Sequence, residues 1–262
     1  MSGLDSMSDP NQELPSWYAL VLETHDNAPM YEHLTRQGFP TVERLRRGIV
    51  LGCIAHSFWL AAEEPVFEQF WDGDTYLDDQ MQGERWAVAF PRGGAVAVFY
   101  SSESSRNPYP EGSPPYDQLR YFQEMPGHLE AAKERALSWM PDLDFRLGGP
   151  NAVVTAAMWA DGDRFTAVEP WAEVFHHSLW ACYRQLLPPE IALAEWWEGM
   201  ALPGNGIVAA RSLYERRIAS TDAVIAVEPE EWEGYLAAAG NAPDPRKVAA
   251  ARELLAGVGI AL

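Results

Sequence analysis

Lysine is nearly absent from this chain: Lys133 and Lys247 are the only two in 262 residues. Between Gly48 and Glu84 there is no Lys or Arg, yet that span holds eight Asp or Glu residues. Over the whole chain 38 acidic residues face 19 basic ones, a formal charge of −19. Such a surface repels phosphate backbones and anionic lipid and attracts basic surfaces over about 8–10 Å. Nucleic acid and membrane are thereby excluded as direct ligands, and a basic protein partner is predicted. Cysteine is equally scarce, and Cys53 with Cys182 cannot form a disulfide scaffold. The longest apolar run, residues 49–62, falls short of the roughly 20 residues a membrane span requires. Residues 1–16 lack the positive charge and apolar stretch of a signal peptide, so a cytoplasmic protein is predicted. No G-x-S-x-G elbow, no P-loop and no G-x-G-x-x-G after a strand occurs, which removes the commonest nucleophile and nucleotide signatures.

Aromatic residues, by contrast, are abundant. Eleven Trp, ten Tyr and ten Phe supply large apolar area for a core or an interface. Residues 1–15 are polar, contain Pro10 and Pro15, and read as a disordered tail, leaving 16–262 as a single α+β domain. A first strand is predicted at 17–23. Thr41 is a candidate N-cap, and Val42, Leu45, Ile49, Cys53, His56 and Leu60 then follow the period of a buried helix over 42–61. Pro65 ends it, with 66–71 as a short second segment. The alternation of Trp86, Val88 and Phe90 before Arg92-Gly-Gly94 predicts a hairpin over 86–100. A second hairpin is predicted at 153–168 around Asp161-Gly162-Asp163. Helical stretches follow at 116–139 and 171–187, so the two hairpins would head two ββα-like halves. Further helices are expected at 189–200, 207–219, 230–239 and 245–256. Ala167-Val-Glu-Pro170 recurs as Ala226-Val-Glu-Pro229, two strand-to-helix junctions with proline and Glu at the helix start. The expected fold is α+β, with a mixed or mainly antiparallel sheet of about five to six strands packed against several helices. Residues 101–116, with four prolines, form the longest predicted coil.

Metal and catalytic patterns are thin. Four carboxylates crowd the run from Asp72 to Asp79, but an EF-hand loop needs glycine sixth and Glu twelfth, and here glycine is second and Gly83 is twelfth. If 76–79 were helical, Asp74 and Asp78 would share a face and make half a site. Cys53 and His56 stand at i, i+3 on one predicted helix, a workable zinc pair. The remaining ligands would come from His176, His177 and Cys182, and Cys182 lies roughly 120–140° around a helix from either His. No metal and no cofactor are therefore predicted. Pro203-Gly-Asn-Gly206 is a lone glycine loop ahead of a helix, read as a cap and turn. The catalytic alternative is a small-molecule, hydrolase-like enzyme using His176 or His177, with Glu173 at i, i+4 from His177 as the orienting carboxylate.

The stronger pattern is aromatic residues set among acids. Trp71 adjoins Asp72, Asp74, Asp78 and Asp79, and Trp232 lies between Glu231 and Glu233. Trp196 and Trp197 lie between Glu195 and Glu198. A ring that anchors in a pocket and charges that speed encounter suit the grip on a basic partner. In this the composition resembles that of bacterial immunity proteins and other inhibitors of toxins and nucleases. The reading favours recognition over catalysis: an acidic protein-binding module of the immunity type, contacting a basic toxin- or nuclease-like protein. An adaptor subunit with obligate Trp-rich interfaces is the third possibility.

Overall fold

The computed structural model describes residues 41–62, 68–80, 83–108, 117–140, 152–199, 204–220, 223–238 and 244–262. The predicted tail at 1–15, the strand at 17–23 and residues 109–116 of the coil lie outside them. Helix α1, Val42–Ala62, starts as its sequence directs, with the Arg44 amide donating to Thr41 Oγ1 at 3.1 Å. Its first turn is also pinned from a distance, because the Val42 and Glu43 amides donate to the backbone and side-chain oxygens of Asp163. Leu45, Ile49, Cys53, Ile54 and Phe58 are fully buried, as an apolar stripe that runs all round a helix demands.

Six strands form one antiparallel meander in chain order: β1 Glu68–Asp72, β2 Thr75–Asp79, β3 Glu84–Ala89, β4 Gly94–Ser101, β5 Ala156–Asp161 and β6 Phe165–Thr166. Both predicted hairpins are present. The β3–β4 turn places Gly93 at φ 84°, a left-handed conformation that a side chain would oppose. Segment 68–72 is a strand, not a helical continuation, and so is 75–79; Asp74 and Asp78 therefore share no helix face. The cause is pairing: Gln69 lies opposite Asp78 and Trp71 opposite Tyr76, in a hairpin that also lines up with β3.

Period-2 alternation sorts the sheet into two buried faces. Leu77, Ala87, Val98, Tyr100, Ala157 and Trp159 pack with Leu129, Ala132, Ala136 and Met140 around helix α2, Glu130–Leu137. The opposite face carries a chain of rings from strand to strand: Trp71 to Tyr76 at 5.3 Å, Tyr76 to Trp86 at 5.2 Å and Trp86 to Phe99 at 6.1 Å. This is the face toward α1, whose Arg46 lies 4.7 Å over the Phe90 ring. Burying three such rings fully, as Tyr76, Trp86 and Phe99 are, contributes roughly 2–3 kcal/mol apiece.

The 171–187 region is not one helix. It divides into α3, Trp171–His177, a 3₁₀ turn, Leu179–Cys182, and α4, Tyr183–Leu186. Thr155 ends α3 by donating to the His177 carbonyl at 2.9 Å and bonding the buried Ser178 hydroxyl. That break parts His176 from Trp180, Tyr183 and Leu187, which the spacing of one continuous helix would set on a single stripe. Four helices follow: α5 Pro189–Gly199, α6 Gly204–Ala219, α7 Pro229–Ala238 and α8 Pro245–Gly257. A short parallel pair, β7 Ile225–Ala226 and β8 Ile260–Ala261, ties the end of the chain back to the α6–α7 junction. Of the two Val-Glu-Pro junctions, Pro229 opens α7 and Pro170 immediately precedes α3. Helix α1 packs against α4 through Gly48, where an added Cβ would lie 2.7 Å from the Gln185 Cα. All described residues belong to one compact unit with an α+β fold.

Candidate functional site

That close helix contact brings Gln185 over the edge of the sheet, where it meets Asp78. The carboxyl of Asp78 sits on the α1 face of β2 and is almost fully buried, at 3% exposure. Its Oδ2 accepts three hydrogen bonds: from Gln69 Nε2 at 3.3 Å, from the Tyr76 hydroxyl at 3.3 Å and from Gln185 Nε2 at 3.4 Å. Its Oδ1 has no partner among the described residues, and the same is true of Gln69 Oε1 and Gln185 Oε1. Because both amide nitrogens are committed to the carboxylate, both amide oxygens must point elsewhere. Three buried acceptors are thus left open, each costing about 1–3 kcal/mol if nothing donates to it.

Gln69, Asp78 and Gln185 all line a cleft of about 380 Å³, completed by Gln80, Trp180, Ala181, Tyr183, Arg184, Trp196 and Gly199. Burial pushes the Asp78 carboxyl up to about 7, against the bond from Tyr76 and the attraction of Arg184. The acid is therefore poised to change charge near neutral pH. Arg184 lies 3.9 Å from Glu195, whose own carboxyl is raised by burial, and Tyr183 is pushed up to about 12. With both acids ionised, this group of charges carries one net negative charge. The neighbouring thiols of Cys53 and Cys182 are raised by burial first and by Asp78 second, so they stay protonated.

The residues singled out from the sequence scatter. Asp78 is buried in the cleft. Asp79 is buried and ion-paired with Arg85. Asp74 is bound through both oxygens by Arg135, at 3.0 and 2.9 Å. Glu231 is 4% exposed and serves its own helix: it accepts the Glu228 amide at 2.9 Å, the Ser212 hydroxyl at 2.8 Å and Arg216 at 2.6 Å. Trp71 is half-buried against Phe90, and Trp232 stacks on Tyr235 at 5.0 Å. Only Asp72 and Glu233 of the set stand exposed. Within the acidic run Asp79 and Asp74 are therefore compensated, by arginines from β3 and α2. Trp196 and Trp197 are core residues of α5.

Gln69, Gln185 and Arg184 escaped the sequence reading. One signal was available for Gln69: Gly73-Asp74 is a two-residue hairpin turn, and reading it so sets residue 69 opposite 78. Nothing local marks Gln185.

His177, the catalytic alternative, lies elsewhere. Its side chain is 8% exposed and its Nε2 is 3.5 Å from Glu173 Oε2, as the i, i+4 spacing predicts. The structure adds Ser104, whose hydroxyl is 2.9 Å from His177 Nδ1. His176 is exposed, edge-on to His177 at 4.8 Å. Among the described residues no three His, Cys, Asp or Glu side chains converge as metal ligands, and no helix is long and apolar enough to cross a membrane. A wider cleft of about 690 Å³, lined mainly by Leu60, Phe70, Trp71 and Leu254 with His56 and Glu253, adjoins the first at Gln69. No protein-family model matches this chain, and neither does any curated protein or solved structure.

Proposed function

We propose that this chain is a binding protein whose Asp78 cleft receives a cationic, hydrogen-bond-donating group, a protonated amine or a guanidinium. The observation that carries the reading is the set of three buried acceptors, Asp78 Oδ1, Gln69 Oε1 and Gln185 Oε1, none with a donor among the described residues. A cation donates to several acceptors at once and gains charge-assisted bonds from the carboxylate. Trp180 and Trp196 are also in the lining, and aromatic neighbours suit a cation. The overall charge of −19 draws such a ligand in. Titration calorimetry at pH 8 with methylguanidinium, butylammonium and neutral methylurea tests this. At least one cation should bind saturably, methylurea should bind at least tenfold more weakly, and Asp78→Asn should abolish the difference. Equal binding of all three probes, or no binding to the wild type, overturns the proposal.

A basic protein partner is the second reading, favoured by the net charge, and an immunity-type inhibitor is its most concrete form. Its contacts would be the exposed acids Asp72, Glu230, Glu233 and Glu253, in place of the buried ones. The adaptor reading has less support: the exposed large apolar side chains among the described residues are Leu119, Val208 and Val224, from three separate segments.

A further inference from the structure

The turn after β4 brings a hydroxyl to an imidazole and a carboxylate that share helix α3, with 73 residues between hydroxyl and imidazole and on elements the cleft does not use. Ser104 is half-buried, hence reachable, while the His177 ring beneath it is covered. The Glu173 carboxylate, 3.5 Å from Nε2, favours the tautomer with the ring proton on that nitrogen. Nδ1 is then the acceptor for the Ser104 hydroxyl, 2.9 Å away, while Ser104 Oγ itself accepts the Arg106 amide at 3.2 Å. The base is fixed from behind, because its carbonyl accepts from Thr155 at 2.9 Å. The carboxylate is fixed too: Arg106 reaches Glu173 at 3.3 Å while also bonding Glu169 at 2.7 Å and the Thr155 carbonyl at 3.1 Å. This is the arrangement of nucleophile, base and orienting acid that activates a serine.

We propose that Ser104 is a nucleophile toward activated esters, with His177 as its general base and Glu173 as a positioning residue. Oγ attacks the ester carbonyl carbon, forming the C–O bond as its proton passes to His177 Nδ1. The imidazolium, steadied by Glu173, returns that proton to the departing alkoxide or phenoxide as the old C–O bond breaks. Water then attacks the acyl-serine by the same route in reverse roles, releasing the acid and restoring Ser104; no other reactant is needed. Burial first, then Arg106 and His176, lower the imidazole to about 4. A base of that strength is present in its working form throughout the neutral range but pulls weakly, and its conjugate acid donates readily. Esters with good leaving groups, such as aryl acetates, are therefore the substrate class, and amides are not.

The test is covalent labelling with an alkyl fluorophosphonate, in which Oγ displaces fluoride, followed by intact mass and peptide mapping. One adduct is expected, on Ser104, and Ser104→Ala should remove both the adduct and p-nitrophenyl acetate hydrolysis above that of solvent. His177→Gln should slow labelling at least 100-fold, and Glu173→Gln about tenfold with a displaced acid limb in the pH–rate profile, each checked for an unchanged melting transition. Since His177 is buried and its replacement can unfold the chain, the wild-type profile decides independently. A labelling rate flat from pH 5.5 to 8 supports the general base. A rate climbing tenfold per pH unit throughout that range, as for a serine ionised by hydroxide, overturns it, as does an adduct absent from Ser104.

Discussion

Replacing Asp78 by Asn should stabilise this protein at alkaline pH. Asn keeps an oxygen for Gln69, Tyr76 and Gln185 and brings an amide donor where Oδ1 now has no partner. The magnitude follows from the carboxyl's displacement from 3.8 to about 7 in the folded chain, equivalent to about 4 kcal/mol. Because the folded value is raised above the unfolded one, that contribution to stability is fully present below about pH 4. It is lost as pH rises through about 7, where the buried carboxyl must ionise. The difference in unfolding free energy between Asp78→Asn and wild type should therefore grow between pH 4.5 and 7.5 and level off above. At pH 8 the variant should melt roughly 8–16 °C higher, at about 2–4 °C per kcal/mol for a chain of this size. Urea is the denaturant to use, since guanidinium is itself a probe of the cleft. Taking the difference between variant and wild type cancels Glu84 and Glu195, whose carboxyls are also raised by burial. A difference that does not change with pH would refute the burial argument, and a variant less stable at pH 8 would show that the carboxylate is satisfied by something the bonding pattern does not reveal. Ligand affinity should move the other way from stability, rising with pH toward 8 as the carboxyl ionises.

Three further outcomes are expected. Gly48→Ala should cost at least about 3 kcal/mol in urea unfolding, because its Cβ would press on the Gln185 backbone, where no side chain can swing aside. Arg216→Ala should cost about 3 kcal/mol and Glu231→Gln much less, since the first leaves a buried carboxylate without its cation while the second keeps the bonds to Ser212 and the Glu228 amide. On the acid side, His56 is lowered to about 3 and His177 to about 4, both chiefly by burial. Their folded values lie below the unfolded 6.5, so the stability they confer is complete above 6.5 and is lost as pH falls toward 4; His177→Gln should make the acid limb of a pH–melting curve shallower.

Much of the fold could be read along the chain because its determinants are local. Thr41 caps α1, an apolar residue at every turn buries it, and period-2 alternation around Arg92-Gly-Gly94 makes a hairpin wherever the rest of the chain lies. The helix at 171–187 was legible only in part, since what ends it is Thr155, on the far side of a strand, capturing the His177 carbonyl. Charge was the least legible quantity. A list of residues shows eight acids without a Lys or Arg between Gly48 and Glu84, but an arginine far along the chain can neutralise one of them. Arg135 does so for Asp74 only because helix α2 flanks the sheet. The candidate site shares that origin: Asp78 and Gln69 meet by strand register and Gln185 joins them because Gly48 lets two helices touch. The serine beside His177 arrives from a turn 73 residues away. Composition and periodicity specify which side chains are buried and in what element, since those depend on neighbours a few residues apart. Which buried polar groups find partners, and which are left open to a ligand, depends on contacts between distant segments, and only the packed structure decides them.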